Sequence, residues 1–253
     1  MLFVDRFSTF TEAEVKALQK SGVDGSIAYL GAYTHPGWGK GITKETLQMY
    51  TALGWKTCFN YEGDPVSRSY FKNGQGQSDA HDVLVEFVHL GVKPTPEIDC
   101  YFSVDYNAHL PADFQVVDNY FVEVEKELDH KFTDGVYGGD PILTFLSSKD
   151  ARSRVSKRWQ TIAWSGGKEF GNINLYQIRV DVHRAGNVVD LDVVKRTPGY
   201  YPVPKSVNKA VPAKHEPAVH YHIVIPKDFT DIKQVTAVAD QIRRLGIPAS
   251  IQK

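Results

Sequence analysis

The chain has 253 residues, 42% of them hydrophobic and 23% charged, with a formal net charge of -1. That is the make-up of an ordinary globular protein, long enough for one (β/α)8 barrel or for a slightly small barrel with an appendage. The charge balance gives no basis for nucleic-acid binding, no apolar stretch has the length of a membrane span, and two cysteines are too few for a disulfide framework.

The first strand is expected over residues 2–5, directly after Met1. No basic n-region, apolar h-region or cleavage site precedes it, so no Sec-type signal peptide is expected. A helix over 11–20 follows, where Thr11 with Glu14 three residues later fits a capping box. The second strand covers 26–30. After a Gly-rich loop at 37–41, Thr43 starts a helix that ends near Leu53-Gly54. The third strand is 56–62, followed by a helix over 78–90 that stops at Gly91. The fourth strand is 98–105, and Pro111 suits the first turn of a helix reaching about residue 130. A fifth strand, 134–137, leads to a helix opened by Asp140-Pro141, with another helix before Trp159. Strands over 159–164, 173–178 and 188–193 complete a set of eight. Alternating strands and helices argue for a parallel α/β architecture, and eight strands close a (β/α)8 TIM-like barrel.

Four strand-like runs end on acids: Phe3-Val4-Asp5, Thr57-Cys58-Phe59-Asn60-Tyr61-Glu62, Tyr101-Phe102-Ser103-Val104-Asp105 and Val188-Val189-Asp190-Leu191-Asp192. The C-terminal end of a barrel strand is where such folds carry catalytic groups. Side chains two apart share a strand face. Asp105 therefore points inward with Ser103 and Tyr101, and Glu62 with Asn60 and Cys58. Asp190 and Asp192 share one face, opposite Val189, Leu191 and Val193. Taken singly, each acid could instead be a helix N-cap or turn former. The same alternation turns Cys58 inward and Cys100 outward, which disfavours a bridge between them.

The texture changes over 197–217, where Pro198, Pro202, Pro204, Pro212 and Pro217 read as an extended linker. Beyond it, residues 220–225, 230–245 and 248–252 read as strand, helix and strand, a small basic α/β tail over 218–253. From Lys205 onward eight Lys/Arg stand against four acids, so this part carries +4 and the rest -5. Such a tail suits an anionic polymer surface, or pairing with a second copy of the chain.

Several of these segments, together with Gly135-Val136-Tyr137-Gly138, Trp159-Gln160-Thr161, Ala163-Trp164-Ser165 and Leu175-Tyr176-Gln177, occur in an order that covers most of residues 1–195. The set resembles the glycoside hydrolase-like barrels of the DUF1906 family, related in shape to the GH25 lysozymes. The resemblance implies peptidoglycan-directed chemistry, as in phage endolysins and bacterial wall proteins. It places Asp5, Asp105 and Asp190 where GH25 enzymes keep acids at strands 1, 4 and 8. GH25 lysozymes carry Asp-x-Glu at strand 4, whereas the third place here is Asn107. Glu62 is then the one glutamate of the constellation.

Glycoside cleavage needs one protonated carboxyl and one ionised one. The expected assignment makes Glu62 the general acid and Asp105 its ionised partner, with Asp5 and Asp190 tuning charge and holding sugar hydroxyls. Tyr33, Tyr137 and Trp164 are candidates for stacking on sugar faces, and Asn107, Gln177 and Asp192 complete the expected substrate-binding set. No cofactor and no metal is expected. The alternatives are a non-catalytic glycan-binding barrel, or a metal-dependent phosphodiesterase drawing on His35 or His109. An endolysin without a Sec signal would stay in the host cytoplasm until released to the wall.

Overall fold

The computed structural model describes residues 1–203 and, in the tail, 221–224 and 249–252. Eight strands close a barrel in sequence order. They are β1 (Leu2–Asp5), β2 (Gly25–Tyr29), β3 (Lys56–Tyr61), β4 (Asp99–Ser103), β5 (Thr133–Gly138), β6 (Lys157–Thr161), β7 (Leu175–Arg184) and β8 (Asn187–Val194). Five α-helices are described around it: α1 (Glu12–Lys20), α2 (Lys44–Ala52), α3 (Gln75–Leu90), α4 (Pro111–Leu128) and α5 (Asp140–Leu146).

The period-two alternation decides which side chains fill the barrel. Phe3, Ile27, Cys58, Tyr101, Tyr137, Trp159 and Leu175 form one buried cluster inside it. Their sequence neighbours Val4, Phe59, Cys100, Phe102 and Val136 belong to the larger cluster under the helices. Both cysteines are buried and free, on opposite sides of the barrel wall.

Local chemistry sets the helix ends. Thr11 and Glu14 form the expected capping box of α1, and the Thr43 side chain accepts from Thr46 N to start α2. Helix α3 begins three residues before its expected start, because the Glu123 carboxylate of α4 accepts from Gly74 N (2.9 Å) and Gly76 N (3.1 Å). A Cβ on Gly76 would lie 2.1 Å from the Tyr120 carbonyl oxygen, so α3 and α4 approach closely only because glycine stands there. The helix expected before Trp159 does not form. Residues 147–156 are irregular, and the Asp118 carboxylate of α4 holds them by accepting from Arg152 N and Ser153 N.

Strand β8 departs from the all-parallel pattern: it runs antiparallel to both β7 and β1. Only Ala185 and Gly186 separate β7 from β8, both with positive φ (48° and 81°). Two such residues make a hairpin turn, whereas a parallel crossover needs a dozen or more. The reversal matters for the acids. Asp190 pairs with Asp5 and so stands level with the C-terminal ends of the parallel strands, while Asp192 pairs with Phe3, deeper in the barrel.

The first residues of the proline-rich stretch are bound to the barrel rather than extended. Gly199 N donates to Asp99 Oδ2 (2.7 Å), and Tyr201 forms an antiparallel bridge with Thr57. The chain divides into two compact units, residues 1–204 and 205–253. In the second, β9 (Tyr221–Val224) and β10 (Ala249–Gln252) pair in parallel. The helix expected over 230–245 and most of the linker lie outside the described residues.

Candidate active site

Each of the eight strands sends a polar side chain inward at or just beyond the same end of the barrel, and these groups form two linked sets.

The first set is organised by Gln177 of β7. Its Oε1 accepts from Tyr137 Oη (3.1 Å) and Thr161 Oγ1 (2.8 Å), which fixes the amide's orientation. Its Nε2 therefore faces two carboxylates, Asp5 Oδ2 at 3.2 Å and Asp190 Oδ2 at 3.0 Å. Asp5 Oδ1 also accepts from Tyr29 Oη (3.2 Å), and Asp190 Oδ1 accepts from Asp181 N (2.8 Å). Below them the fully buried Asp192 accepts from Trp159 Nε1 (2.7 Å) and faces the Asp5 carboxyl. Burial, then the charge of Asp190, pushes Asp5 up to about 7. Burial and Asp5 push Asp192 well above the ordinary carboxylate range, so both members of this pair are biased towards the protonated form.

The second set centres on Glu62, just beyond β3. Its Oε2 accepts from Ser103 Oγ (3.0 Å), and its Oε1 lies 3.3 Å from Lys40 Nζ. Asn60 Nδ2 donates in turn to Ser103 Oγ (3.0 Å). Burial raises the Glu62 carboxyl, Lys40 opposes that rise, and Asp105 adds to it. Asp105 is half-buried beyond the end of β4, and its Oδ1 accepts from Trp164 Nε1 (3.2 Å). Two phenols connect the sets. Burial raises both Tyr29 and Tyr137, and the charges of Asp5 and Glu62 bear on each; Asp105 bears on Tyr137 as well. Asp5, Glu62, Asp105 and Asp190 thus surround one region of the barrel mouth.

Tyr33 is not part of it. Its ring stacks on His89 of α3 (centroids 3.2 Å apart), and its backbone N–H donates to Glu86 of the same helix, which holds it in the outer layer. Asn107 is exposed in the loop after β4, where its carbonyl accepts from His109 Nδ1 (2.7 Å). His35 is engaged by Asp82 (2.9 Å) and Tyr61 (3.2 Å) on the helix side of the wall. Neither histidine offered for phosphodiester chemistry is hydrogen-bonded to Asp5, Glu62, Asp105 or Asp190. Among the described residues, no three His, Cys, Asp or Glu are grouped to hold a metal ion.

Sequence reading missed two residues here. Tyr29 ends β2 two places after the inward Ile27, so alternation alone points it inward. Lys40 sits among the glycines at 37–41 and looks like a solvated loop lysine.

The raised Asp5 has a consequence for stability. Its unfolded value is about 3.9, so between about pH 4 and about pH 7 the folded chain binds the extra proton and stability falls as pH rises. Asp5→Asn removes that slope. In urea denaturation the variant is expected to lose less stability than the wild type between about pH 5 and about pH 8. Equal losses would show that Asp5 holds no extra proton.

A closed α/β barrel with buried carboxylates gathered at its mouth is an arrangement that glycoside hydrolase-like barrels use. Residues 16–195 match the family model described as Rv2525c-like, glycoside hydrolase-like domain, and the chain belongs to that family. No curated protein matches it in sequence. Among solved structures it is similar to the Tat-secreted protein Rv2525c of Mycobacterium tuberculosis in complex with L-tartrate. That match has a TM-score of 0.65 and 18% identity, over 79% of this chain and 97% of that one. An uncharacterised B. stearothermophilus protein matches with a TM-score of 0.58 and 13% identity, over 78% and 96%. A glycosyl hydrolase 25 of Streptococcus pneumoniae matches with a TM-score of 0.51 and 11% identity, over 76% and 86%. At these identities the likeness is one of fold.

Proposed function

We propose that the barrel is a glycosidase that cleaves the glycan strands of peptidoglycan, in the manner of a muramidase. The observation that carries this reading is the pairing of Glu62, raised by burial, with the half-buried Asp105 at one barrel mouth. A raised carboxyl keeps its proton for the leaving oxygen. Asp105, held by the Trp164 indole, acts as the ionised partner, on water, on the anomeric carbon or on a substrate N-acetyl group. Asp5 and Asp190, held by Gln177, tune the charge of the mouth and bind sugar hydroxyls; Asp192 buttresses Asp5 from below. Tyr137 and Trp164 line the sugar path. Substrate lies at the wall, and the basic unit from residue 205 onward is assigned to anionic wall polymers or to self-association.

Purified walls test the reading. Turnover that persists in EDTA supports a glycosidase, turnover lost in EDTA points to metal-dependent phosphodiester chemistry, and retention on walls without turnover points to a glycan-binding barrel. Deleting 205–253 and measuring both mass in solution and wall retention assigns the tail.

A further inference from the structure

We infer that Lys40 is a positioning residue for Glu62: its ammonium group holds that carboxyl in one orientation and sets the pH at which it gives up its proton. The inference rests on Glu62 being the acid of the proposed reaction.

Lysine is almost never buried unless paired, yet the Lys40 side chain is only 6% exposed, with Nζ 3.3 Å from Glu62 Oε1. Three rings surround the same nitrogen: Tyr29 and Trp38 with centroids at 5.4 Å and Phe7 at 5.6 Å. They come from the loop after β1, the end of β2 and the loop that carries Lys40 itself. An aromatic cage of this kind offsets part of the cost of removing an ammonium group from water. It also leaves the carboxylate as the charged partner.

The loop is braced against α3, so Lys40 arrives at a fixed place. The buried Glu86 accepts from Tyr33 N (2.9 Å), Thr34 N (2.6 Å) and Thr34 Oγ1 (2.9 Å). His35 bonds Asp82, and Trp38 lies flat on the His35 ring at 3.9 Å. With Ser103 on Oε2, both Glu62 oxygens are then held.

The groups that face Glu62 are Lys40 and Ser103, the Asp105 carboxylate from just beyond β4, and the phenols of Tyr29 and Tyr137, behind which stands Asp5. Among these only Lys40 is cationic. Without it, burial and Asp105 both favour the protonated carboxyl, so the proton is released at higher pH.

The test is a titration of the Glu62 carboxyl carbon by NMR in the full chain, with Glu62→Gln identifying the resonance. In Lys40→Met the midpoint is expected to rise by about one to three pH units, and in Lys40→Arg to stay near the wild-type value. Where walls are turned over, the alkaline limb of kcat/KM should move with it. A Lys40→Met midpoint equal to the wild type overturns the inference, as does a Lys40→Arg midpoint displaced as far as that of Lys40→Met. Lys40→Gln is read in the same way and covers the case in which the methionine variant does not fold. The titration needs no substrate, so a wild-type protein that leaves walls intact defeats the proposed reaction without deciding the role of Lys40.

Discussion

Glu62→Gln is expected to abolish turnover of purified walls while the protein stays folded. Glutamine keeps the side chain's shape, and its carbonyl can still accept from Ser103 or Lys40, which hold the carboxylate oxygens at 3.0 and 3.3 Å. It cannot supply a proton to a leaving oxygen, a contribution worth about 10²- to 10⁴-fold for a positioned acid. The Lys40 ammonium loses its countercharge but keeps its three rings. Thermal melting should accompany the assay, since a buried cation without a counterion lowers stability. Full turnover by a folded Glu62→Gln protein removes Glu62 as the acid.

Asp105→Asn should cost several orders of magnitude in kcat with KM little changed. Asp105 sits where Trp164 Nε1 can orient it at 3.2 Å, and its backbone N–H is tied to the Pro65 carbonyl (3.1 Å). Asparagine preserves an acceptor for the indole and removes the negative charge that stabilises or attacks the sugar cation. A group that acts only in the transition state lowers kcat and kcat/KM together. A raised KM at unchanged kcat would demote Asp105 to a binding group. Variants of Asp5 and Asp190, set beside these two, separate the two sets at the mouth. Asp5 and Asp190 are joined through Gln177, so their loss should disturb each other more than it disturbs Glu62.

Much of this was legible in the sequence because a strand has only two faces. Asp105, Ser103 and Tyr101 had to point together, as did Glu62, Asn60 and Cys58, and both triplets line the barrel interior. What one sequence could not show was contact across distance. The α3 start depends on Glu123, 49 residues beyond Gly74. Lys40 becomes a buried cation only through rings from Phe7 and Tyr29 on other segments. Tyr29 and Tyr33, four residues apart, go to opposite sides of the wall: strand alternation sends the first to Asp5, and Glu86 draws the loop bearing the second onto α3. The antiparallel β8 was there to be read in Ala185-Gly186, because no helical crossover fits so short a gap.

The most direct measurement is digestion of purified peptidoglycan by the intact protein, followed by borohydride reduction and mass spectrometry of the fragments. Cleavage by these carboxylates yields glycan fragments with newly reducible sugar ends, formed equally in EDTA and absent with Glu62→Gln. Fragments released with no new reducing end, or new ends made undiminished by Glu62→Gln, would contradict it.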